Sequence, residues 1–150
     1  MKEIKEQLYG FCQRWVDDRI AMAQGNIQAA QAAANEETKS SAGDKYETAR
    51  AMAQLEIEKA AAILAEAGKQ KQLLGKISTG AKTSTVQLGS LAHTNHGWFY
   101  ISLSAGMAEI DRVAYLCLSP VSPLGQAMMG LQQGGRFSFN QRHYTVTAVY

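Results

Sequence analysis

Two acidic residues, Asp44 and Glu47, stand three positions apart in the stretch SSAGDKYETARAMAQLE, directly after a glycine. An Asp followed three residues later by a Glu is a capping-box pattern, in which both side chains bind free amides at the start of a helix. The same pair brings together two carboxylates, which are ligands for Mg²⁺. Two carboxylates do not fill an octahedral shell, so metal chemistry here requires further oxygens from water, a substrate or another macromolecule.

The pair lies between two long helical patterns. Residues 1–76 contain no proline, are rich in alanine and carry as many acidic as basic side chains, as expected of a solvated helical surface. Apolar residues recur at helical spacing, as in Ile4, Leu8, Phe11, Cys12, Trp15, Ile20, Ala23 and Ile27, and again in Met52, Leu55, Ile63 and Leu64. The hydrophilic break NEETKSSAGDKYE predicts an antiparallel hairpin, or coiled coil, with an acidic tip near residues 36–47. Arms of this length would extend about 45 Å and hold the tip far from the rest of the chain.

Residues 77–150 follow a different pattern. Five short runs are rich in aromatic and β-branched residues and predict an antiparallel sheet: VQLGSL, GWFYISL, RVAYLCLS, GRFSFN and HYTVTAVY. Between the third and fourth runs, SPLGQAMMG predicts a short helix with Ser122 as cap, Pro123 in its first turn and Gly130 at its end. The predicted fold class is therefore α+β, with a helical hairpin over 1–76 and a small β-rich domain over 77–150.

Composition and charge limit the classes of partner. Lys plus Arg total 15 and Asp plus Glu total 13, and this small surplus predicts neither avid nucleic-acid binding nor membrane adsorption. The opening MKEIKEQLYGFCQRW has no apolar block, and no later window is long and apolar enough to span a bilayer, so a cytoplasmic protein is expected. Cys12 and Cys117 fit neither a disulfide framework nor a zinc site, and they are predicted to be small buried residues.

Two segments resemble the bacterial Gre transcript-cleavage factors. The stretch GDKYETARAMAQLE is similar to that family's G-D-x-x-E-x-A pattern. The stretch VSPLGQAMMGLQQGGRFSFNQRHYTVTAVY is similar to its S-P-L-G-x-A-L-x-G, G-D and Y-x-I ending, and it is the more specific of the two matches. The resemblance implies a coiled-coil hairpin followed by an FKBP-like globular domain. It also implies that the hairpin enters the secondary channel of RNA polymerase and promotes cleavage of backtracked RNA.

The resemblance also implies roles for single residues. Asp44 and Glu47 match the two acidic tip positions, which help to bind a second Mg²⁺ in the polymerase active site. Ser122, Pro123 and Leu124 match the globular segment that docks on the polymerase. The protein would then not be an enzyme itself. It would be a monomer without a cofactor of its own, and it would stimulate the polymerase to cleave the nascent RNA near its 3′ end, with Mg²⁺ bound only in the complex.

The chain departs from the family pattern close to the tip. Thr48-Ala49-Arg50-Ala51 replaces Asn-Ala-Glu-Tyr, Lys45 replaces a leucine, and Gly135 stands where an aspartate is common. Gre-like proteins also include members that occupy the channel and inhibit or modulate the polymerase without cleavage, so a channel-binding regulator is the alternative. Lys45 is a candidate RNA-phosphate contact, whereas Arg50 is expected to be an ordinary exposed helix residue.

Other candidates have weaker signals. His93 and His96 have the spacing of metal ligands but lie in a predicted polar turn, and the glycines of LQQGGRF predict a tight turn rather than a phosphate loop. Arg136, Arg142 and His143 form a small basic edge. Two further classes remain open: a peptidyl-prolyl isomerase-like domain, which needs an aromatic-lined pocket, and a helical-hairpin interaction module, which needs an exposed apolar stripe.

Overall fold

Two long helices open the chain. The computed structural model describes residues 1–37 and 43–150, without the side chains of Glu37 and Asp44. Helix α1 spans Lys2–Glu37 and helix α2 spans Gly43–Leu74. Asp44 is thus the second residue of α2 rather than the residue before it. Among the described residues, no helix combines the length and apolar character needed to cross a membrane.

The rest of the chain forms a six-stranded sheet and one short helix. The elements are β1 (Leu91–Thr94), β2 (Gly97–Ile101), β3 (Gly106–Ile110), β4 (Val113–Leu118), α3 (Pro123–Met128), β5 (Arg136–Phe139) and β6 (Arg142–Val149). The strand order across the sheet is β3-β4-β2-β1-β6-β5. The α+β class and the short helix after Ser122 are therefore confirmed.

The prediction of an all-antiparallel sheet of five strands is wrong. β2 and β4 pair in parallel, from Trp98 opposite Tyr115 to Ile101 opposite Leu118, so the sheet is mixed. The missed strand is β3, whose sequence GMAEI has weak strand propensity and is stabilised by antiparallel pairing with β4 at the sheet edge. A two-residue turn joins these strands, and both of its residues have positive φ, 51° at Asp111 and 65° at Arg112. This is the backbone of a type I′ hairpin turn without the glycine that usually indicates one.

The first predicted strand, VQLGSL, is also wrong for most of its length. Only its last residue, Leu91, belongs to β1, and the run before it contains a tight turn at Gly89, where φ is +89°. This positive φ favours glycine at position 89. A Cβ there would also stand 3.1 Å from the Ile77 side chain, which would have to shift. The nearest pairing upstream is a single bridge between Thr85 and Gln132.

The chain divides into two compact units, one of Met1–Trp15 with Gln72–Tyr150 and one of Val16–Lys71. In the first unit, α3 and one face of the sheet share a hydrophobic core. Its buried members are Val86, Ala92, Phe99, Ile101, Leu118, Met128 and Tyr144. Since side chains alternate along a strand, the residues between these point to the other face.

The start of α1 covers that other face. The Cys12 thiol lies 3.2 Å from the hydroxyl of Ser102, which follows β2, and Leu8 is fully buried. Lys5 is 3% exposed, and its ammonium donates to the carbonyls of Ala81 at 2.8 Å and Tyr150 at 3.2 Å. The first fifteen residues therefore belong to the globular unit by their contacts. The domain division predicted from the sequence had assigned all of residues 1–76 to the hairpin.

In the second unit the two helices run antiparallel. Asp17 of α1 pairs with Lys71 of α2 at 2.8 Å, although both side chains are about half exposed and the pair contributes little. The buried hydrophobic residues described in this unit are Val16, at its boundary, and four alanines: Ala23, Ala53, Ala60 and Ala67. Those of α2 recur every seven residues, as in a coiled-coil seam.

Three of the larger apolar residues that mark the helical period of α2 do not lie at this seam. Met52 and Leu55 are 57% and 59% exposed, and Ile63 is 37% exposed. At 100° per residue these three side chains lie on one side of the helix, roughly a quarter-turn away from the alanine seam. The unit exposes an apolar stripe, which we name the α2 stripe: Met52, Leu55 and Ile63.

One buried hydroxyl yields a stability prediction. Tyr100 is fully buried, and its hydroxyl has no hydrogen-bond partner among the described residues. Since a buried unpaired donor is unfavourable, we expect Tyr100→Phe to raise the free energy of unfolding by about 1 kcal/mol in urea titrations. Thr94→Val is the matched control, because it removes a buried hydroxyl that bonds Gly97 O and His96 N, and it should lower the same quantity. A loss of stability in Tyr100→Phe would contradict the expectation.

Candidate functional site

The predicted acidic tip is described only in part. Residues 38–42 and the Asp44 side chain lie outside the described residues, whereas Lys45 and Glu47 are described and both are exposed. Positions 44 and 47 are three apart within α2 and so share one side of the helix. Glu47 forms no ion pair with any described residue. None of the described residues therefore neutralises the Glu47 carboxylate, which is accessible to a ligand.

Arg50 makes a local contact that does not involve Glu47. Its Nη1 donates to the Tyr46 hydroxyl at 3.0 Å, one helical turn earlier. Arg50 also lines an open cleft of about 450 Å³ between the helices, with Gln31, Asn35 and Gln54 among the other lining residues. Arg50 is thus a polar surface residue of the second unit, in agreement with the ordinary role predicted for it.

The start of α3 is held by a tight set of hydrogen bonds. The Ser122 hydroxyl accepts from the Gly125 amide at 3.1 Å and donates to the Ser119 carbonyl at 2.6 Å. Pro123 occupies the first turn, where its missing amide hydrogen is no loss. The fourth residue of S-P-L-G must be glycine, because a Cβ on Gly125 would stand 2.1 Å from the Ser119 carbonyl oxygen. The motif therefore specifies one rigid local structure.

The three predicted docking residues have different surroundings. Pro123 is exposed, Ser122 is occupied by the cap, and Leu124 packs against the hydrophobic core. Val121, which precedes the cap Ser122, is 73% exposed and was not among the predicted docking residues. An apolar residue before a cap usually packs on the fourth helical position, which here is a glutamine, Gln126, so Val121 has no staple partner. Val121 and Pro123 together form a small exposed apolar surface, which we name the α3 corner.

The histidines take part in local contacts on the sheet. His96 lies in the β1–β2 turn, as predicted, and its Nε2 is 3.0 Å from the His143 carbonyl. His93 lies in β1 instead, with its Nδ1 2.7 Å from the Thr147 hydroxyl and its ring 4.3 Å from that of Trp98. Within the described part of the chain, no three His, Cys, Asp or Glu side chains cluster as a metal site would require.

The basic edge occupies the β5–β6 hairpin. Arg136, Arg142 and His143 are all exposed. The Ser138 hydroxyl lies 2.9 Å from His143 Nδ1, and Phe137 stacks on Tyr144 with ring centroids 4.6 Å apart. The glycines before this hairpin form the predicted tight turn, with φ of +89° at Gly134. The edge is a polar surface with one aromatic stack beneath it.

Comparison with known proteins does not assign a family. No protein-family model matches the chain, and no curated protein matches it significantly.

Proposed function

We propose that this protein is a Gre-like transcription factor that binds RNA polymerase, inserts its helical hairpin into the secondary channel and stimulates cleavage of backtracked RNA. The observation that carries the proposal is the S-P-L-G segment. Its serine caps α3, its proline opens the helix, and its glycine is required by a backbone contact. The segment that resembles the Gre pattern thus has a well-defined local structure. This structure exposes Val121 and Pro123, as a docking surface requires.

The hairpin supports the same proposal. Two antiparallel helices hold Glu47 exposed near the start of α2, and no described cation neutralises it. An exposed carboxylate at this position is available to a second macromolecule. The FKBP-like identity of the globular unit is part of the proposal, supported by a mixed sheet with a short helix packed on one face.

Asp44 and Glu47 supply two carboxylates, fewer than the oxygens that Mg²⁺ requires. Mg²⁺ would belong to the polymerase, where it would stabilise charge during phosphodiester hydrolysis. This chain would contribute only the carboxylates of Asp44 and Glu47. Its own work is to dock, to orient the hairpin and to present those two groups.

The proposal is tested with halted, backtracked elongation complexes of the host's RNA polymerase. Addition of the wild-type protein should shorten the labelled transcript and release short 3′ fragments. The same complexes without the protein measure intrinsic cleavage. A transcript that stays intact at saturating protein concentration would contradict the cleavage activity.

Docking is tested at the α3 corner. We expect Val121→Ser to weaken polymerase binding, because the change removes exposed apolar area from the proposed contact. Val113→Ser is the matched control, since Val113 is an exposed valine on β4 of the same unit. Equal affinities for the two variants would place docking elsewhere on the molecule.

A channel-binding regulator without cleavage activity is the second candidate. Lys45 favours it, because an exposed cation stands beside the acidic position 44 where the related factors carry a leucine. A cation there attracts RNA phosphate and opposes the net negative charge that a metal-binding tip needs. Polymerase binding and inhibition of synthesis without transcript shortening would select this candidate.

A helical interaction module is the third candidate, and the α2 stripe favours it. Met52 and Leu55 are more than half exposed, on one side of a helix whose seam is made of alanines. Such a stripe is typical of surfaces that pair with another helix. Self-association measured by sedimentation, abolished by Leu55→Gln and accompanied by no polymerase binding, would select this candidate.

A further inference from the structure

Two cysteines meet beneath the start of α1. Cys12 is fully buried and Cys117, in β4, is 2% exposed. Cys12 Sγ lies 3.2 Å from the hydroxyl of Ser102. Cys117 pairs with Tyr100 in the sheet, two residues before Ser102, so Cys117 and Ser102 lie toward the same face. Both thiols are free. The fold thus brings together two buried cysteines that are far apart in the sequence.

The two thiols differ in acidity. The pKa of Cys12 falls to about 7, first because the Cys117 thiol hydrogen-bonds to it, while burial opposes the shift and Ser102 and the Leu103 backbone add to it. The pKa of Cys117 is raised by the hydrogen bond to Cys12 and by burial. Cys12 is therefore the more acidic of the two thiols, and Cys117 keeps its proton more strongly. This is the arrangement of an attacking and a resolving cysteine.

We propose that Cys12 and Cys117 form a reversible intramolecular disulfide on exposure to hydrogen peroxide. The Cys12 thiolate attacks one peroxide oxygen, so that an S–O bond forms, the O–O bond breaks and the other oxygen leaves as water after taking up a proton. The Cys117 sulfur then attacks the resulting sulfenic acid. An S–S bond forms, the S–O bond breaks, and the hydroxide combines with the thiol proton as a second water. Two thiols are oxidised by two electrons, and one peroxide is reduced.

The product would link α1 covalently to the sheet. In the reduced protein this attachment depends on burial of Leu8 and Cys12 and on the contacts of Lys5 with Ala81 and Tyr150. A crosslink between positions 12 and 117 closes a long loop and so restricts the unfolded chain strongly. Oxidation is therefore expected to raise the thermal unfolding midpoint of the globular unit, and a thiol reductant should reverse the rise.

The test compares reduced wild-type protein, treated with a small excess of hydrogen peroxide, in buffer and in urea. Trypsin digestion without reductant should yield residues 6–14 joined to residues 113–136, with a mass about 2 Da below the sum of the free peptides. The rate of joining should be at least about tenfold higher in the folded protein than in urea, because the fold holds the sulfurs together. The measured quantity is the amount of joined peptide. Oxidation of Met128 or Met129 does not join peptides, so it cannot be mistaken for the disulfide.

Two single variants assign the roles. In Cys117→Ser, the sulfenic acid on Cys12 should persist and be trapped by dimedone, whereas in Cys12→Ser the remaining thiol should not react in the folded protein. A joining rate in buffer no higher than in urea would overturn the proposal. So would disulfides between molecules, or sulfinic and sulfonic acid on Cys12 of the wild type in place of the link. The comparison of wild-type joining rates in buffer and in urea tests the proposal even if a serine variant does not fold.

Discussion

Asp44→Asn combined with Glu47→Gln is expected to lower stimulated RNA cleavage by about a hundredfold or more while polymerase binding is unchanged. The amides keep the size of both side chains and remove both negative charges. Carboxylates hold Mg²⁺ far better than amides do, so the loss should fall on the chemical step rather than on docking. The measurement is the rate of transcript shortening in backtracked complexes at saturating factor, with affinity obtained separately by competition.

The control for this variant lies on the same helix. Glu56 is an exposed glutamate of α2 outside the predicted tip, and Glu56→Gln removes one charge without touching positions 44 or 47. It should retain wild-type cleavage. If the rate of transcript shortening with the double variant equals the rate with Glu56→Gln, the two carboxylates have no part in the reaction. Loss of binding in the double variant would instead show that the tip contributes to docking.

Gly125→Ala is expected to destabilise the globular unit by about 3 kcal/mol. The new methyl group would stand 2.1 Å from the Ser119 carbonyl oxygen and 2.9 Å from the Ser122 hydroxyl, and the first of these belongs to the backbone. The start of α3 would have to move, breaking the Ser122 cap and shifting Met128, which is fully buried in the core. Urea titration gives the loss of unfolding free energy.

A second glycine serves as the control. Gly25 lies within α1 and is exposed, and a methyl group added there would meet nothing within 4 Å outside its own stretch of helix. Since alanine favours a helix over glycine by about 1 kcal/mol, Gly25→Ala should stabilise the protein or leave it unchanged. If Gly125→Ala matches Gly25→Ala in stability, the α3 start is more adaptable than its hydrogen bonds indicate.

The helices and the use of alanines at their contact were predictable, but which alanines of α2 are buried was not. An absence of proline and a high alanine content predict helix whatever lies beside it. Alanine, however, is compatible with either face. The larger residues Met52 and Leu55 carried the periodic signal, whereas burial occurs at Ala53 and Ala60, where a small side chain is tolerated. Packing against the partner helix determines which face of α2 is buried, so the sequence of α2 alone does not predict it.

In the sheet domain, local features were predictable and distant ones were not. Ser122 and Pro123 act through bonds to neighbours within three residues, so their motif could be interpreted directly. Strand β3 depends on β4 for its structure, and its turn at Asp111 and Arg112 lacks the usual glycine. The placement of Cys12 and Cys117 beside one face of the sheet depends on packing across the chain, which no local pattern indicates. The exposure of Val121, by contrast, follows locally from the glutamine at the fourth position of α3.

The grouping of Met1–Trp15 with Gln72–Tyr150 has a consequence for biosynthesis. During translation the first turns of α1 leave the ribosome long before β2 and β4, which they will cover. The globular unit therefore cannot complete its folding as a late, separate event on strands alone, because its first segment must still be available when the last strand emerges. A fragment that begins at residue 77 would present Tyr100 and Cys117 to water, and would be prone to aggregate where the full chain folds.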